Sequence, residues 1–365
     1  MGSKRHLSLL PNTAAEQVEW PVPFADGVSL LASFEGRPVA VLASGDPFWF
    51  GAGSVIARQF SSDAWQAFPA PSTFAHAASR LGWALENTVC LGLHAAPLTR
   101  LRPYLVQSAR CLVLLRDGEA VASLSSYLCG QGFGESEICV MEALGGPREN
   151  IRQFQAMTLA DESFQHPVCV GIDLRGHGVS MPACSGLPDT LFESDGVMTK
   201  RPVRAMTLSA LAPVPGETLW DIGGGSGSIA IEWLLAHPAC AAVAIEARAD
   251  RVGFMKANAV ALGADRLVIV SGTAPDDLEG LPKPDAIFIG GGLSTDLIDA
   301  LSGMSLAGTR VVANAVTLEG EGLLTRLHQE KGGSLLRIEL AEAQALGSKT
   351  AWKPTYPIVQ WSGVL

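Results

Sequence analysis

Residues 219–234 read LWDIGGGSGSIAIEWL. Leu219 and Trp220 form a short strand, Asp221 closes it, Gly223, Gly224, Gly225 and Gly227 make a turn, and an apolar helix starts at Ser228. Glycines let the backbone approach a ligand, and a helix start presents free N–H groups, so this unit is a place to hold a nucleotide-like molecule. A phosphate-cradling loop needs G-x-x-x-x-G-K-S/T, and no lysine follows these glycines. A dinucleotide loop needs G-x-G-x-x-G. Counted from Gly223 it meets Ser228 in place of glycine, and from Gly225 it meets Ala230, which fits only the relaxed form.

A third template, D-x-G-x-G-x-G, fits in full through Asp221, Gly223, Gly225 and Gly227. It resembles the first loop of S-adenosylmethionine (SAM) methyltransferases, where a looser turn suits an amino-acid tail. About one helix later a second strand, residues 241–245, is capped by Glu246, whose carboxylate can accept both hydroxyls of a ribose. Glu246 serves both nucleotide readings; Asp221 favours SAM. A glycine-rich turn of any α/β domain is the plainer alternative.

The chain has 365 residues, enough for two domains. It is 48% apolar and 17% charged, with a net charge of −10, and neither half carries a basic surplus. A surface built to bind nucleic acid is therefore not expected. The seven cysteines are scattered singly with no C-x-x-C. Cys90 with His94, and His237 with Cys240, have ligand-like spacing but no second pair, so no metal is expected and the thiols read as reduced. With no apolar run of membrane length and no apolar leader core, a cytoplasmic enzyme without membrane attachment is expected.

Taken in order, residues 38–43 are a continuous apolar run of strand length, as for a parallel strand buried on both faces. A second glycine-rich loop follows at Gly45, Asp46, Pro47, Gly51 and Gly53, then a helix over 54–60. Ser72 is placed to cap a helix over 73–81. Strands are expected at 90–93, 111–115, 137–142 and 168–172, with a helix over 120–129. Residues 175–188, rich in glycine and proline, form the best linker. Beyond it, strands at 219–220, 241–245, 266–270, 286–289 and 309–313 alternate with helices. Two more strands, at 335–340 and 357–361, finish the chain. That order implies a doubly wound, Rossmann-like sheet with its ligand at the carboxyl ends of the strands.

Several further motifs carry a resemblance: residues 198–205 (MTKRPVRA), 284–292 (PDAIFIGGG), 313–317 (ANAVT), Trp352 to Pro354, and Gln360 with Trp361. With the opening loop they make the second half resemble the class I SAM methyltransferases. It is most similar there to those that methylate C15 of a precorrin and decarboxylate its C12 acetate. The first half resembles the tetrapyrrole methylases, a two-lobed α/β fold, through residues 43–47 (ASGDP), 69–72 (PAPS) and 77–83 (AASRLGW). That family opens with a strand and a G-x-G-type loop, and this chain starts after that point, so the first domain is expected to lack them. The two halves in this order resemble the fused precorrin C5,15-methyltransferases. The resemblance implies residues 1–188 for C5 methylation and 189–365 for C15 methylation with C12 decarboxylation. It implies a SAM site in each domain, a polycarboxylate precorrin as partner, and a homo-oligomer.

The cofactor candidates are then Thr199, Asp221, Gly223, Gly224, Gly225, Ser226, Gly227, Glu246, Gly272 and Ala274, with Gly45, Asp46 and Pro47 in the first half. For the substrate's carboxylates, Lys200, Arg201 and Arg204 precede a helix and could clamp propionates. Asn314 and Thr317 close a strand on the ligand side, and Gly291, within Gly290 to Gly292, could allow close approach of a flat macrocycle. Each has a plainer reading: a solvated helix start, a flexible turn, or turn capping. No catalytic acid, base or nucleophile is assigned. Methyl transfer to an enamine-like carbon needs mainly positioning and desolvation, and the macrocycle can take up the electrons released by decarboxylation. A methyltransferase acting on RNA or protein remains open, as does a first half that only scaffolds the second. The former would show a basic stripe or an N-P-P-Y-type motif where Gly290, Gly291 and Gly292 stand.

Overall fold

A computed structural model describes residues 1–159, 162–304 and 307–365. The chain forms two compact units, Met1–Ala96 with Gln107–Gly178, and Pro97–Val106 with Val179–Leu365.

The first unit holds helices α1 (Lys4–Leu7), α2 (Phe24–Ala32), α3 (Gly53–Ile56), α4 (Thr73–Leu81) and α5 (Glu119–Gly130). Its strands are β1 (Val89–Gly92), β2 (Arg110–Leu115), β3 (Glu137–Glu142), β4 (Asn150–Gln155) and β5 (Val168–Asp173), in sheet order β1-β2-β5-β3-β4. Only β1 and β2 pair in parallel; the other neighbours are antiparallel. The apolar strands β2, β3 and β5 take the centre, with Phe74, Ala77 and Ala78 of α4 packed on one face. Ser72 caps α4 as expected, its hydroxyl accepting from the Ala75 N–H at 3.1 Å.

Two expectations for this unit fail. Residues 38–43 are not a strand. Their backbone bonds to the start of the chain and not to a neighbouring strand, through the Met1 amine to the Ala40 carbonyl at 2.7 Å and the Leu42 N–H to the Met1 carbonyl at 2.8 Å. An apolar run becomes a two-face-buried strand only with ladders on both edges, and among the described residues no strand pairs with this one. The helix expected over 54–60 is one turn, α3.

The second unit adds α6 (Arg201–Leu211), β6 (Thr218–Ile222), α7 (Ser228–Ala236), β7 (Ala241–Glu246), α8 (Ala249–Ala261) and β8 (Val268–Ser271). Then come β9 (Ala286–Ile289), α9 (Thr295–Met304), β10 (Arg310–Ala315), α10 (Leu318–Lys331), β11 (Ser334–Ile338), β12 (Ala341–Leu346), β13 (Lys349–Pro354) and β14 (Ile358–Val364). The seven-stranded sheet runs β11-β14-β10-β9-β6-β7-β8. Strands β8, β7, β6, β9 and β10 are parallel, and β14 is antiparallel to both β10 and β11. The inner strands read as near-continuous apolar runs because helices cover both faces. One core holds Leu219, Ala244 and Phe288 beneath Ile229 and Trp233 of α7; the other holds Trp220, Ile245 and Ile287 against Leu297, Leu324 and Trp361. The β12–β13 hairpin is almost wholly exposed, and no apolar run announces it. Among the described residues no helix is long and apolar enough to cross a membrane.

Candidate cofactor site

The site is built where β6 runs into α7. Gly223, Gly225 and Gly227 have φ of +72°, +56° and +79°, a region that side chains disfavour. Gly223 is needed twice over, since a Cβ there would lie 2.7 Å from the Gly291 nitrogen. That contact brings the loop after β9 against the loop after β6 and gives Gly291 a packing role. At Gly225 a Cβ would meet open space, with only the Gly223 carbonyl near, at 3.9 Å. A ligand can approach the backbone there.

Asp221 is 1% exposed. Its Oδ2 accepts from the Ala230 N–H at 3.1 Å, while Oδ1 has no partner. Burial, with the neighbouring Glu246 charge adding to it, pushes the carboxyl up to about 7. Ser226 is also buried, and its hydroxyl has no partner. Buried polar atoms are seldom left unpaired, and two at one glycine loop mark a place where a polar ligand completes the bonding. Glu246, at the end of β7, accepts from the Gly225 N–H and the Arg248 N–H, each at 2.9 Å. Each oxygen keeps a lone pair for a hydroxyl donor. The Gly272 N–H donates to the Glu246 carbonyl at 3.1 Å, which brings the turn after β8 beside it. A Cβ at Gly272 would sit 2.2 Å from the Asp277 carboxylate. Ala274 packs partly against the core near Val270.

Orphaned Asp221 Oδ1 and Ser226 Oγ, the open Gly225 backbone and the Glu246 carboxylate together fit a ligand with an ammonium tail and a ribose, as SAM has.

The segment before α6 gives a mixed outcome. Thr199 is half-buried and its carbonyl accepts from Arg204 at 2.6 Å. Lys200 and Arg201 are exposed; the Lys200 ammonium reaches the Gly196 carbonyl at 3.3 Å, and the Arg201 N–H donates to Asp189. Arg204 corrects the sequence reading. It is 0% exposed, bonded to Glu232, Asp189 and the carbonyls of Leu187 and Thr199, and it lies over the Phe192 ring. With four of its five N–H groups bonded inside the protein and no surface exposed, this guanidinium cannot meet a substrate propionate. Glu232 completes the knot by accepting from the Gly186 and Leu187 N–H groups. The sequence signal was there: one carboxylate inside the apolar run of α7.

On β10, the Asn314 amide is tied up, donating to Thr207 at 3.0 Å and accepting from Gln360 at 2.9 Å. Thr317 caps α10, its hydroxyl accepting from the Gly320 N–H at 3.2 Å. Thr317 matches the turn-capping alternative, whereas Asn314 ties β10 to α6 and β14. Asn258 of α8, which no motif flags, bonds to the Ser226 carbonyl at 2.9 Å.

In the first unit Asp46 lines a cleft of about 510 Å³ with His6, Trp20, Trp49, Phe50 and Phe74. Its Oδ1 accepts from the Phe48 N–H at 2.8 Å. Gly45 (φ +57°) and Pro47 adjoin Asp46 but do not line the cleft wall. Gly51 and Gly53 are required by packing, since a Cβ at either would come within 2.8 Å of the Pro47 carbonyl oxygen.

Residues 190–365 match the family described as precorrin methyltransferase domain, and residues 25–160 match the tetrapyrrole (corrin/porphyrin) methylases. A protein of Sinorhizobium sp named precorrin-6Y C(5,15)-methyltransferase [decarboxylating] is 46% identical, over 99% of this chain and 88% of its own length. The chain belongs to the precorrin-6Y C5,15-methyltransferase (decarboxylating) family. Members of this family are SAM-dependent methyltransferases of cobalamin biosynthesis, and this chain is one. A half-length relative in Pyrobaculum aerophilum, named as a probable cobalt-precorrin-6B C(15)-methyltransferase (decarboxylating), is 33% identical over 48% of this chain and 94% of its own. The C-terminal domain of a precorrin-6Y C5,15-methyltransferase from Rhodobacter capsulatus is 51% identical. It covers 51% of this chain and 100% of its own, with a TM-score of 0.49.

Proposed function

We propose that this chain methylates precorrin-6B at C5 and C15 and removes the C12 acetate carboxyl, giving precorrin-8. Residues 1–188 would carry the C5 step and residues 189–365 the C15 step and the decarboxylation, each with its own SAM site. The observation that carries the reading is the identity along 99% of the chain to a relative named for both methylations. The half-length relative named for C15 alone supports assigning the two methylations to separate halves.

In the second unit Asp221, Ser226, the backbone of 223–227 and Glu246 would hold the cofactor. When bound, SAM supplies an electrophilic methyl group. The residues here contribute position and electrostatics. Asp221 Oδ1 offers a buried carboxylate to an ammonium, which favours its ionised form. Glu246 fixes the ribose, and the glycine turn aligns the tail. Nucleophilic attack comes from the substrate's own enamine-like carbon, so alignment in a dry site is the main catalytic contribution. Loss of CO₂ leaves its electron pair on the acetate methylene, in conjugation with the macrocycle, where a proton is then taken up. Lys200 and Arg201, exposed at the start of α6, are the remaining cations proposed to meet substrate carboxylates. Gly45, Asp46 and Pro47 are proposed to hold the second cofactor beside the aromatic cleft. The reading places the enzyme in the cytoplasm as a homo-oligomer.

Asp46→Asn and Gly45→Val should abolish C5 methylation while C15 methylation and CO₂ release continue, read by mass and by the position of label from methyl-labelled SAM. C5 methylation unchanged in both variants would instead make the first unit a scaffold.

A further inference from the structure

Residues 187–200 form a strap ahead of α6, and two contacts tie its middle to α8. Asn258, only 2% exposed in the last turn of that helix, accepts from the Glu193 N–H at 2.8 Å and donates to the Glu193 carbonyl at 2.9 Å. Its amide also donates to the Ser226 carbonyl at 2.9 Å. A carboxamide has two N–H donors, and both go to backbone carbonyls, one on the strap and one on the glycine-rich loop. Asparagine is a poor helix former, so this helix gains nothing locally from it. A second tether lies two turns back along α8, where Asp195 of the strap pairs with Arg251 at 2.9 Å. Arg248, at the head of α8, faces Asp195 at 3.6 Å while its backbone N–H holds Glu246. The cofactor loop, the Glu246 carboxylate and the strap are thus all fastened to one helix.

We infer that Asn258 is a positioning residue for the cofactor, joining the strap at Glu193 to the Ser226 carbonyl so that ordering of the strap and binding of SAM are coupled. This rests on the reading of residues 221–227 as the SAM site. Truncating the side chain leaves the Ser226 carbonyl and both polar groups of Glu193 without their partner. Asn258→Asp keeps the shape but replaces the donor with an acceptor facing two carbonyls. Asp195→Ala cuts the outer tether at a less buried position, so it serves if Asn258→Ala does not fold.

The test uses the full chain, with S-adenosylhomocysteine as the probe. Calorimetry gives its affinity, and hydrogen exchange follows residues 192–199 and 223–227 separately. In the wild-type chain the probe should slow exchange in both segments. In Asn258→Ala and Asn258→Asp affinity should fall by roughly tenfold or more, the loss of about one buried hydrogen bond. Protection of 223–227 should survive at saturating probe while that of 192–199 is lost. The KM for SAM should rise with little change in kcat. Asp195→Ala should move the same readouts by less. Unchanged affinity and strap protection in these variants would overturn the coupling while leaving the SAM site standing. Exchange lost equally across α7 and the sheet would reduce Asn258 to a structural residue and also overturn it. No binding of the probe to the wild-type chain would refute the SAM reading itself.

Discussion

At the scale of single residues, Asp221 has the clearest consequence. Its folded carboxyl titrates near 7, against an unfolded value near 4. The ligand-free folded chain therefore holds a proton that the unfolded chain has released. Its contribution to stability is full below about pH 4 and is lost as pH rises through about 7. Urea denaturation of the ligand-free protein should show stability falling across that window by roughly 1 kcal/mol per pH unit from this group, and Asp221→Asn should flatten that fall. An equally steep fall in the variant would show that Asp221 is not the source. Glycines separate just as sharply. Gly223→Ala forces a side chain into positive φ and against the Gly291 backbone, and should cost at least roughly 1–2 kcal/mol and abolish cofactor binding. Gly253→Ala, inside α8 with nothing within 4 Å, should be neutral or stabilise by up to about 1 kcal/mol. Thermal melts of the two variants, with and without S-adenosylhomocysteine, decide this. Asp221, the glycines and Glu246 are legible in the sequence because backbone conformation and strand-end position follow from residue type and spacing. The enclosure of Arg204 is only half legible: Glu232 inside the apolar run of α7 signals a buried charge, but that Arg204 meets it, with Asp189 and Leu187, follows only from the packing of α6 on α7.

Between elements, the knot of Arg204, Glu232 and the 186–189 segment fixes the strap to α6 and α7. Glu232→Ala would leave a buried guanidinium with fewer partners and two backbone N–H groups unpaired. It should cost on the order of 3–5 kcal/mol in chemical denaturation, with Glu232→Gln milder because it keeps an acceptor. A cost under about 1 kcal/mol would show the ion pair to be dispensable. The elements read well from sequence where an apolar run meets helices on both faces, as in β9 and β3, whose bounds match the expected ones. They read poorly at edges: β4 (NIRQFQ) and the β12–β13 hairpin are mostly exposed and carry no apolar run. The run at 38–43 misleads in the other direction, since apolar content alone does not supply the neighbours a strand requires.

For the whole molecule, the fold class of the second half follows from the alternation of strands and helices and that of the first half from its resemblance to the tetrapyrrole methylases, whereas Asn258, which ties the strap to α8, has no sequence signature. The central claim is that one chain performs two methylations and a decarboxylation. The most direct measurement incubates the purified protein with precorrin-6B and methyl-labelled SAM, and follows product mass, label position and evolved CO₂ together. The account predicts a product labelled at C5 and C15 with one CO₂ released per turnover, and predicts that Asp221→Asn stops C15 labelling and CO₂ release together. A wild-type protein that binds SAM yet neither labels the precorrin nor releases CO₂ would contradict it.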